Sequence, residues 1–468
     1  MVFSSSVFLF GFLPAVLAVY YLSPRRARNF VLLFFSLFFF YAWDMPKYAL
    51  LMVATTAFGY ATGLAIGALR KNNKEKYTKA VLVASVIVNL GALGFFKYTD
   101  FLIGTVNGIF GTAVPLLGLA LPIGISFYTF QTMSYTIDVY RNDCKVQRSF
   151  VDFAAYVTMF PQLIAGPIVR YETVEKQLDF RRESFESFGY GAQRFVLGLA
   201  KKVLLANSVG ALYSELAAVE SPSALTAWLA AITFTFQIYF DFSGYSDMAI
   251  GLGKMFGFTF LENFNLPYCA DSITDFWRRW HISLSTWFKE YVYIPLGGNR
   301  RGKARQIFNL AVTWLLTGIW HGASWNYVMW GAYFALLLII EKLFLLKALN
   351  KLPSVFKHIY ALFFIVIGWV IFSNESTAVM GKMFRSMFSF NNFTDKFSVY
   401  TLFANFVLLA LCVIFSCKLP KRAATALSER VSSRTYFIIK TVTVIVLFAV
   451  SICFMVGESY NPFLYFRF

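Results

Sequence analysis

Apolar runs recur along the chain from residue 3 to residue 456, separated by short clusters of charge. The runs at 3–22, 30–43 and 48–69 are followed in turn by Arg25, Arg26 and Arg28, by Asp44, Pro46 and Lys47, and by Arg70, Lys71, Lys74, Lys76 and Lys79. About 20 apolar residues in a helix span the hydrocarbon core of a bilayer, and Lys and Arg gather in the cytoplasmic loops. The alternation predicts a first helix over 3–22 that is retained, without the basic start and small-residue cleavage site of a secretory signal, and an N-terminus outside.

The second half repeats the test. Basic segments at 300–305, 342–357 and 418–434 belong on the cytoplasmic side. Between the first two lie apolar runs at 307–319 and 327–340, so the chain crosses or dips and returns. The turn between them, Trp320-His321-Gly322-Ala323-Ser324-Trp325, then sits within the membrane or toward its outer side. A run ending at Phe372, a polar loop at 373–398, a run back to Cys417 and a last one at 436–456 put the C-terminus outside by parity. Two stretches do not read as spans: 101–121 is Gly-rich and broken by Pro115 and Pro122, and 171–186 carries too many charges, so both are expected to be re-entrant or interfacial. The pattern predicts an all-α polytopic membrane protein of roughly 10 to 12 transmembrane helices plus re-entrant or interfacial helices. No repeat or polar linker divides it, which makes residues 1–468 a single membrane-embedded domain.

Composition sharpens this. Of 468 residues, 58% are hydrophobic and 14% charged, and a mean hydropathy of +0.60 excludes a soluble globule. The net charge of +18 would suggest nucleic acid in a soluble protein. Here the cations sit in short loops, where the positive-inside rule and anionic lipid headgroups account for them, and no nucleic-acid partner is expected. Five cysteines in no paired spacing suggest neither a disulfide framework nor a zinc site. No two histidines have metal-ligand spacing, there is no G-x-S-x-G elbow, and Gly251, Gly253 and Gly257 miss the dinucleotide and P-loop spacings, so ATP-driven transport is not expected.

Of three histidines, His281 and His321 lie in dense aromatic and polar clusters inside apolar sequence. Imidazole takes and returns a proton near neutral pH without a large pKa shift, so a membrane-buried His is a candidate general base or relay. His321 is the stronger candidate, placed at a turn where irregular backbone is tolerated only if it lines a cavity. Helical spacing over 275–289 puts Asp275, Arg278, Arg279 and Ser283 near one face and Trp277, Trp280, His281, Leu284 and Phe288 near another. A basic face beside aromatics suits an interfacial helix that contacts phosphate, or one that anchors to headgroups. Asp241 and Asp247, with Ser243 between them, sit six positions apart in an apolar stretch. Each carboxylate needs a partner there, such as an Arg, a His or a hydroxyl, and a proton path, a His-orienting carboxylate and a structural ion pair all fit.

The stretch Asp275-Phe276-Trp277-Arg278-Arg279-Trp280-His281-Ile282-Ser283-Leu284-Ser285, followed by Tyr291-Val292-Tyr293-Ile294-Pro295-Leu296-Gly297-Gly298 and Trp320-His321-Gly322-Ala323, resembles the membrane-bound O-acyltransferase superfamily, and more narrowly its bacterial alginate O-acetyltransferase branch. Phe160-Pro161-Gln162-Leu163-Ile164-Ala165-Gly166-Pro167-Ile168, the run from Tyr239 to Asp247, and the ending Asn461-Pro462-Phe463-Leu464-Tyr465-Phe466 add to the likeness, which covers essentially the whole chain. The resemblance implies a ring of helices around a central partition with cytoplasmic and outer openings, in a bacterial inner membrane. It implies His321 as the catalytic His and His281 as the second characteristic one. Trp320, Trp280, Arg278, Arg279, Asp241, Asp247 and Ser243 become candidates for donor or substrate binding. No bound cofactor or metal is implied; acetyl-CoA, or a carrier-protein thioester, is the acyl donor. The partners implied are an extracytoplasmic acetyltransferase and a polysaccharide acceptor, alginate-like or a cell-wall glycan. Two alternatives stand beside this reading: D-alanyl transfer from a carrier protein toward teichoic acid, and a proton-coupled transporter that uses the same buried His and Asp side chains.

Overall fold

The structure, a computed structural model, describes residues 2–43, 46–164, 166–457, 461 and 464, without the side chains of 41–43. Asp44, Ala165, Pro462, Phe463, Tyr465 and Phe466, named above, lie outside the described residues. Helix makes up 78% of the chain, with no strand among the described residues. Among the described residues six helices are long and apolar enough to cross a bilayer, or seven if the pair Lys396–Ala404 and Phe406–Phe415, bent by 58°, counts as one span. This is fewer than the pattern predicts because several apolar runs form shorter helices, among them Val7–Leu22, Ile125–Arg141 and Trp325–Ile340. At 1.5 Å per residue, 17 residues reach about 26 Å, less than a typical hydrocarbon core.

The chain divides into two compact units, Met1–Phe195 with Met248–Leu261, and Val196–Asp247 with Glu262–Phe468. In the first, Pro46–Lys71 packs on Ile125–Arg141 through a stripe of glycines one turn apart. A Cβ on Gly63 would lie 2.6 Å from the Tyr135 ring, and one on Gly59 would strike Thr132. With lipid tails as apolar as the helices, such small-residue contact is a main source of helix association in a bilayer. The helix Thr78–Phe110 takes in the first half of the Gly-rich stretch, through Gly104 and Gly108, and stops at Gly111 (φ 64°), before the part that Pro115 and Pro122 break. Helix is the one way those residues satisfy their own backbone in an apolar surrounding. Asp100 then ties back the irregular segment that follows, accepting from the Leu117 and Gly118 backbone N–H at 2.7 and 3.0 Å. The charged segment after Tyr171 folds as the short amphipathic helix Tyr171–Asp179 and does not span, as read from its charges.

A polar knot closes this unit beyond the helix ends. Glu183 accepts from Tyr20 (2.8 Å) and pairs with Arg28 (2.7 Å), while Arg181 donates to the Tyr20 hydroxyl, the Phe256 carbonyl and Asn29. Burial raises the pKa of the Glu183 carboxyl, but hydrogen bonds from Tyr20 and Arg28 outweigh it and hold the group below its ordinary 4.5. A carboxylate with a depressed folded pKa stabilises above the unfolded value and loses that contribution as pH falls through the folded one.

In the second unit, Lys303–His321 and Trp325–Ile340 form an antiparallel hairpin, the two runs and turn expected from the pattern. Its helices meet at glycines: a Cβ on Gly331 would lie 2.5 Å from the Trp314 carbonyl and 3.1 Å from Gly318. The stretch 275–289 is not one helix. It breaks into Ile273–Arg279 and Ile282–Phe288 at His281, which takes a left-handed conformation (φ 44°), so the predicted separation of faces does not hold. Fully buried Glu341 caps the first piece, accepting from the backbone N–H of Ile273 (2.7 Å) and Thr274 (2.8 Å). The polar loop at 373–398 contains a further helix, Thr377–Met387. Acidification below about pH 4.5 is expected to lower the thermal unfolding temperature of the detergent-solubilised protein, and Glu183→Gln to be less stable above that pH and to lose this part of the pH dependence.

Candidate active site

His321 is the last residue of its helix, because Gly322 leaves in extended conformation with the Tyr327 ring packed where a Cβ would stand. The imidazole is buried on the wall of a narrow cavity that it shares with Asp241, Phe242, Trp280, Trp330, Trp369 and Leu464. The free space is about 20 Å³, room for about one water. Aromatic rings hold the imidazole edge to face: Trp330 at 5.0 Å and 82°, Phe372 at 5.4 Å and 83°, Trp320 at 5.0 Å and 73°. Of the residues proposed from sequence, this wall brings together His321, Asp241 and Trp280.

His281 is not on that wall. Its ring neighbours include Phe242, at 4.7 Å, and Trp320, at 6.3 Å, so Trp320 neighbours both imidazoles. The left-handed turn at His281 is held by Asn263, whose backbone carbonyl accepts from Ile282 N–H (3.0 Å) and whose Oδ1 accepts from Ser283 N–H (3.2 Å) and Oγ (2.9 Å). Those donors orient the amide, so the 3.2 Å contact of Oδ1 with His281 Nδ1 requires the proton on Nδ1. Burial lowers the pKa of His281 to about 3, which keeps the ring neutral.

Both carboxylates pair with lysines, a partner not considered from sequence. Lys202 pairs with Asp241 at 2.8 Å and Lys201 with Asp247 at 2.7 Å. The crossing point explains both pairs. Gly244, midway between the carboxylates, sits so close to the neighbouring helix that a Cβ would lie 2.8 Å from the Gly198 carbonyl and 3.2 Å from Lys202 N. Asp241 also accepts from the backbone N–H of Leu464 (2.8 Å), which seats part of the closing motif at the cavity. Neither imidazole is hydrogen-bonded to Asp241 among the described residues. Ser243, two residues on, is buried, its Oγ without a hydrogen-bond partner among the described residues. Arg278 is exposed, whereas Arg279 is held by Asp275 at 2.8 Å.

Residues 140–381 match the model of the membrane-bound O-acyltransferase family. A protein of Azotobacter vinelandii named "Probable alginate O-acetylase AlgI" is 42% identical over the full length of both chains. The chain belongs to the membrane-bound O-acyltransferase family. It is therefore an O-acyltransferase enzyme and an integral membrane protein, and the transporter reading gives way. A "Peptidoglycan O-acetyltransferase" of Helicobacter pylori is 32% identical over all of this chain and 98% of that one. A "Teichoic acid D-alanyltransferase" of Bacillus subtilis is 28% identical over 54% of this chain and 69% of that one.

Sequence reasoning missed Asn263, Lys201 and Lys202 among the residues that build this candidate site, and gave Leu464 only as part of the closing motif. The lysines left a signal: two buried carboxylates in one apolar run call for two cations in another, and Lys201-Lys202 is such a pair. Asn263 left none, since its partners are 18 to 20 residues away. Breaking a buried ion pair from one side is expected to be severe. Lys202→Met should destabilise by about 3–5 kcal/mol, and Lys202→Met with Asp241→Leu should recover most of it, read by thermal unfolding in detergent.

Proposed function

We propose that the chain acetylates a cell-envelope polysaccharide, alginate or a related glycan, drawing acetyl groups from a cytoplasmic thioester, acetyl-CoA, and passing them across the bacterial inner membrane. The observation that carries this is the placement of His321 at a helix end on the wall of an aromatic cavity. Full-length similarity to proteins named for O-acetylation of alginate and of peptidoglycan supports acetyl as the group. The D-alanyl relatives cover about half the chain at lower identity, so that alternative is the weaker. In this reading residues 1–468 act as one domain, with roughly 10 to 12 crossings and re-entrant pieces ringing a partition that opens to the cytoplasm on one side and outward on the other. The N-terminus lies outside.

The chemistry needs a proton removed and an oxyanion held. His321 takes the proton from the acceptor hydroxyl as its oxygen attacks the thioester carbonyl carbon. The tetrahedral oxyanion then collapses, the C–S bond breaks, and the imidazolium returns the proton to the departing thiolate. His281, neutral and fixed through Nδ1, supports Trp320 against His321 or relays the proton. Exposed Arg278 is better placed than paired Arg279 to meet donor phosphates. An extracytoplasmic acetyltransferase partner receives the acetyl group and modifies the polysaccharide.

Acetyl-CoA turnover by the purified protein in nanodiscs, with partner and acceptor supplied, is expected to fall by about 10²- to 10⁴-fold in a folded His321→Ala variant. Turnover at the wild-type rate in that variant would overturn the assignment of the base. Turnover of a D-alanyl carrier thioester in place of acetyl-CoA would overturn the assignment of the donor.

A further inference from the structure

Resting on the acyl-transfer reading above, we propose that the indole N–H of Trp330 is the hydrogen-bond donor that holds the acyl carbonyl oxygen and the oxyanion formed on it. Trp330 is 1% exposed and shares the cavity wall with His321, its ring 5.0 Å from the imidazole. Its Nε1 is buried and has no hydrogen-bond partner among the described residues. A buried, unpaired N–H is costly, and tryptophan usually finds a partner when buried, so a donor kept without one beside a reacting centre points to a ligand acceptor. Of the neighbouring polar groups, His321 must accept a proton and Asp241 is an anion engaged by Lys202, and Trp369, the other indole on this wall whose Nε1 has no hydrogen-bond partner among the described residues, is not among the rings packed on the imidazole. The indole is also rigidly held, by Trp277 (5.5 Å), Phe334 (5.2 Å) and Phe372 (5.3 Å), and by Gly331, next in sequence, pressed against Trp314 and Gly318. Donors that need no reorganisation are the ones that stabilise an oxyanion best.

Trp330→Phe keeps an aromatic ring and removes the donor. Loss of one oxyanion donor lowers kcat by about 10²- to 10³-fold, and KM for acetyl-CoA is expected to change little. The decisive readout is the infrared carbonyl band of acetonyl-CoA, a ketone that has no acyl C–S bond to cleave. In wild type the band should lie below that of the free ketone in hydrocarbon solvent, and it should move back up in Trp330→Phe. A purely packing role would lower the unfolding temperature without moving the band. Should Trp330→Phe not fold, the indole ¹⁵N–¹H resonance of Trp330 in wild type must shift when the ketone binds. Binding with an unmoved band or resonance overturns this proposal alone. No binding of the ketone to wild type, or binding unaffected by competition with acetyl-CoA, overturns the acetyl-CoA reading and this proposal with it.

Discussion

The contact between Lys202 and Asp241 is the constraint on which the rest of the site depends. A carboxylate 2% exposed in an apolar helix is sustainable only with a cation against it, and a cation in that position is sustainable only with the carboxylate. The pair forms because Gly244 lets two helices approach until backbone meets backbone. It then fixes the face of the helix that carries Ile238, Asp241 and Phe242, which is one wall of the His321 cavity. The same carboxylate holds Leu464, so one ion pair sets a helix crossing, a cavity wall and the seat of a C-terminal residue.

Around that pair the site is mostly aromatic, and this has a chemical consequence. Water is restricted to about one molecule's room, and in so dry a space fixed dipoles and hydrogen bonds act at low effective dielectric. Charge that develops on a carbonyl oxygen there meets few competing waters, and the indoles, the His321 imidazole and the Asp241 carboxylate supply what polarity there is. Trp320, a ring neighbour of both His281 and His321, makes the two histidines parts of one packed assembly.

Sequence disclosed the parts of this arrangement that depend on local pattern. The hairpin around His321 was legible because two apolar runs of helical length flank a Trp-His-Gly turn, and the helix ends where the glycine follows. The buried Asp241 and Asp247 were legible because charge is conspicuous in an apolar run. What remained hidden depends on contacts between distant segments. Periodicity over 275–289 predicted a helix, yet Asn263 and the left-handed turn at His281 override it, a tertiary effect no window of sequence contains. Glu341, fully buried and capping the helix that carries Arg278 and Arg279, sat unnoticed at the edge of a basic segment. Hydropathy measures how apolar a run is and not the length or bend of the helix formed from it, so the runs read from pattern outnumber the described helices that are long and apolar enough to cross by themselves.

The central claim is that acyl transfer takes place in the cavity walled by His321, Trp280, Trp330 and Trp369. A cryo-EM structure of the full chain in nanodiscs with acetonyl-CoA bound tests it most directly. The account predicts the ketone carbonyl in that cavity, within about 3–4 Å of the His321 imidazole. A ketone seated in any other cavity, with His321 still enclosed by its aromatic neighbours, would contradict it.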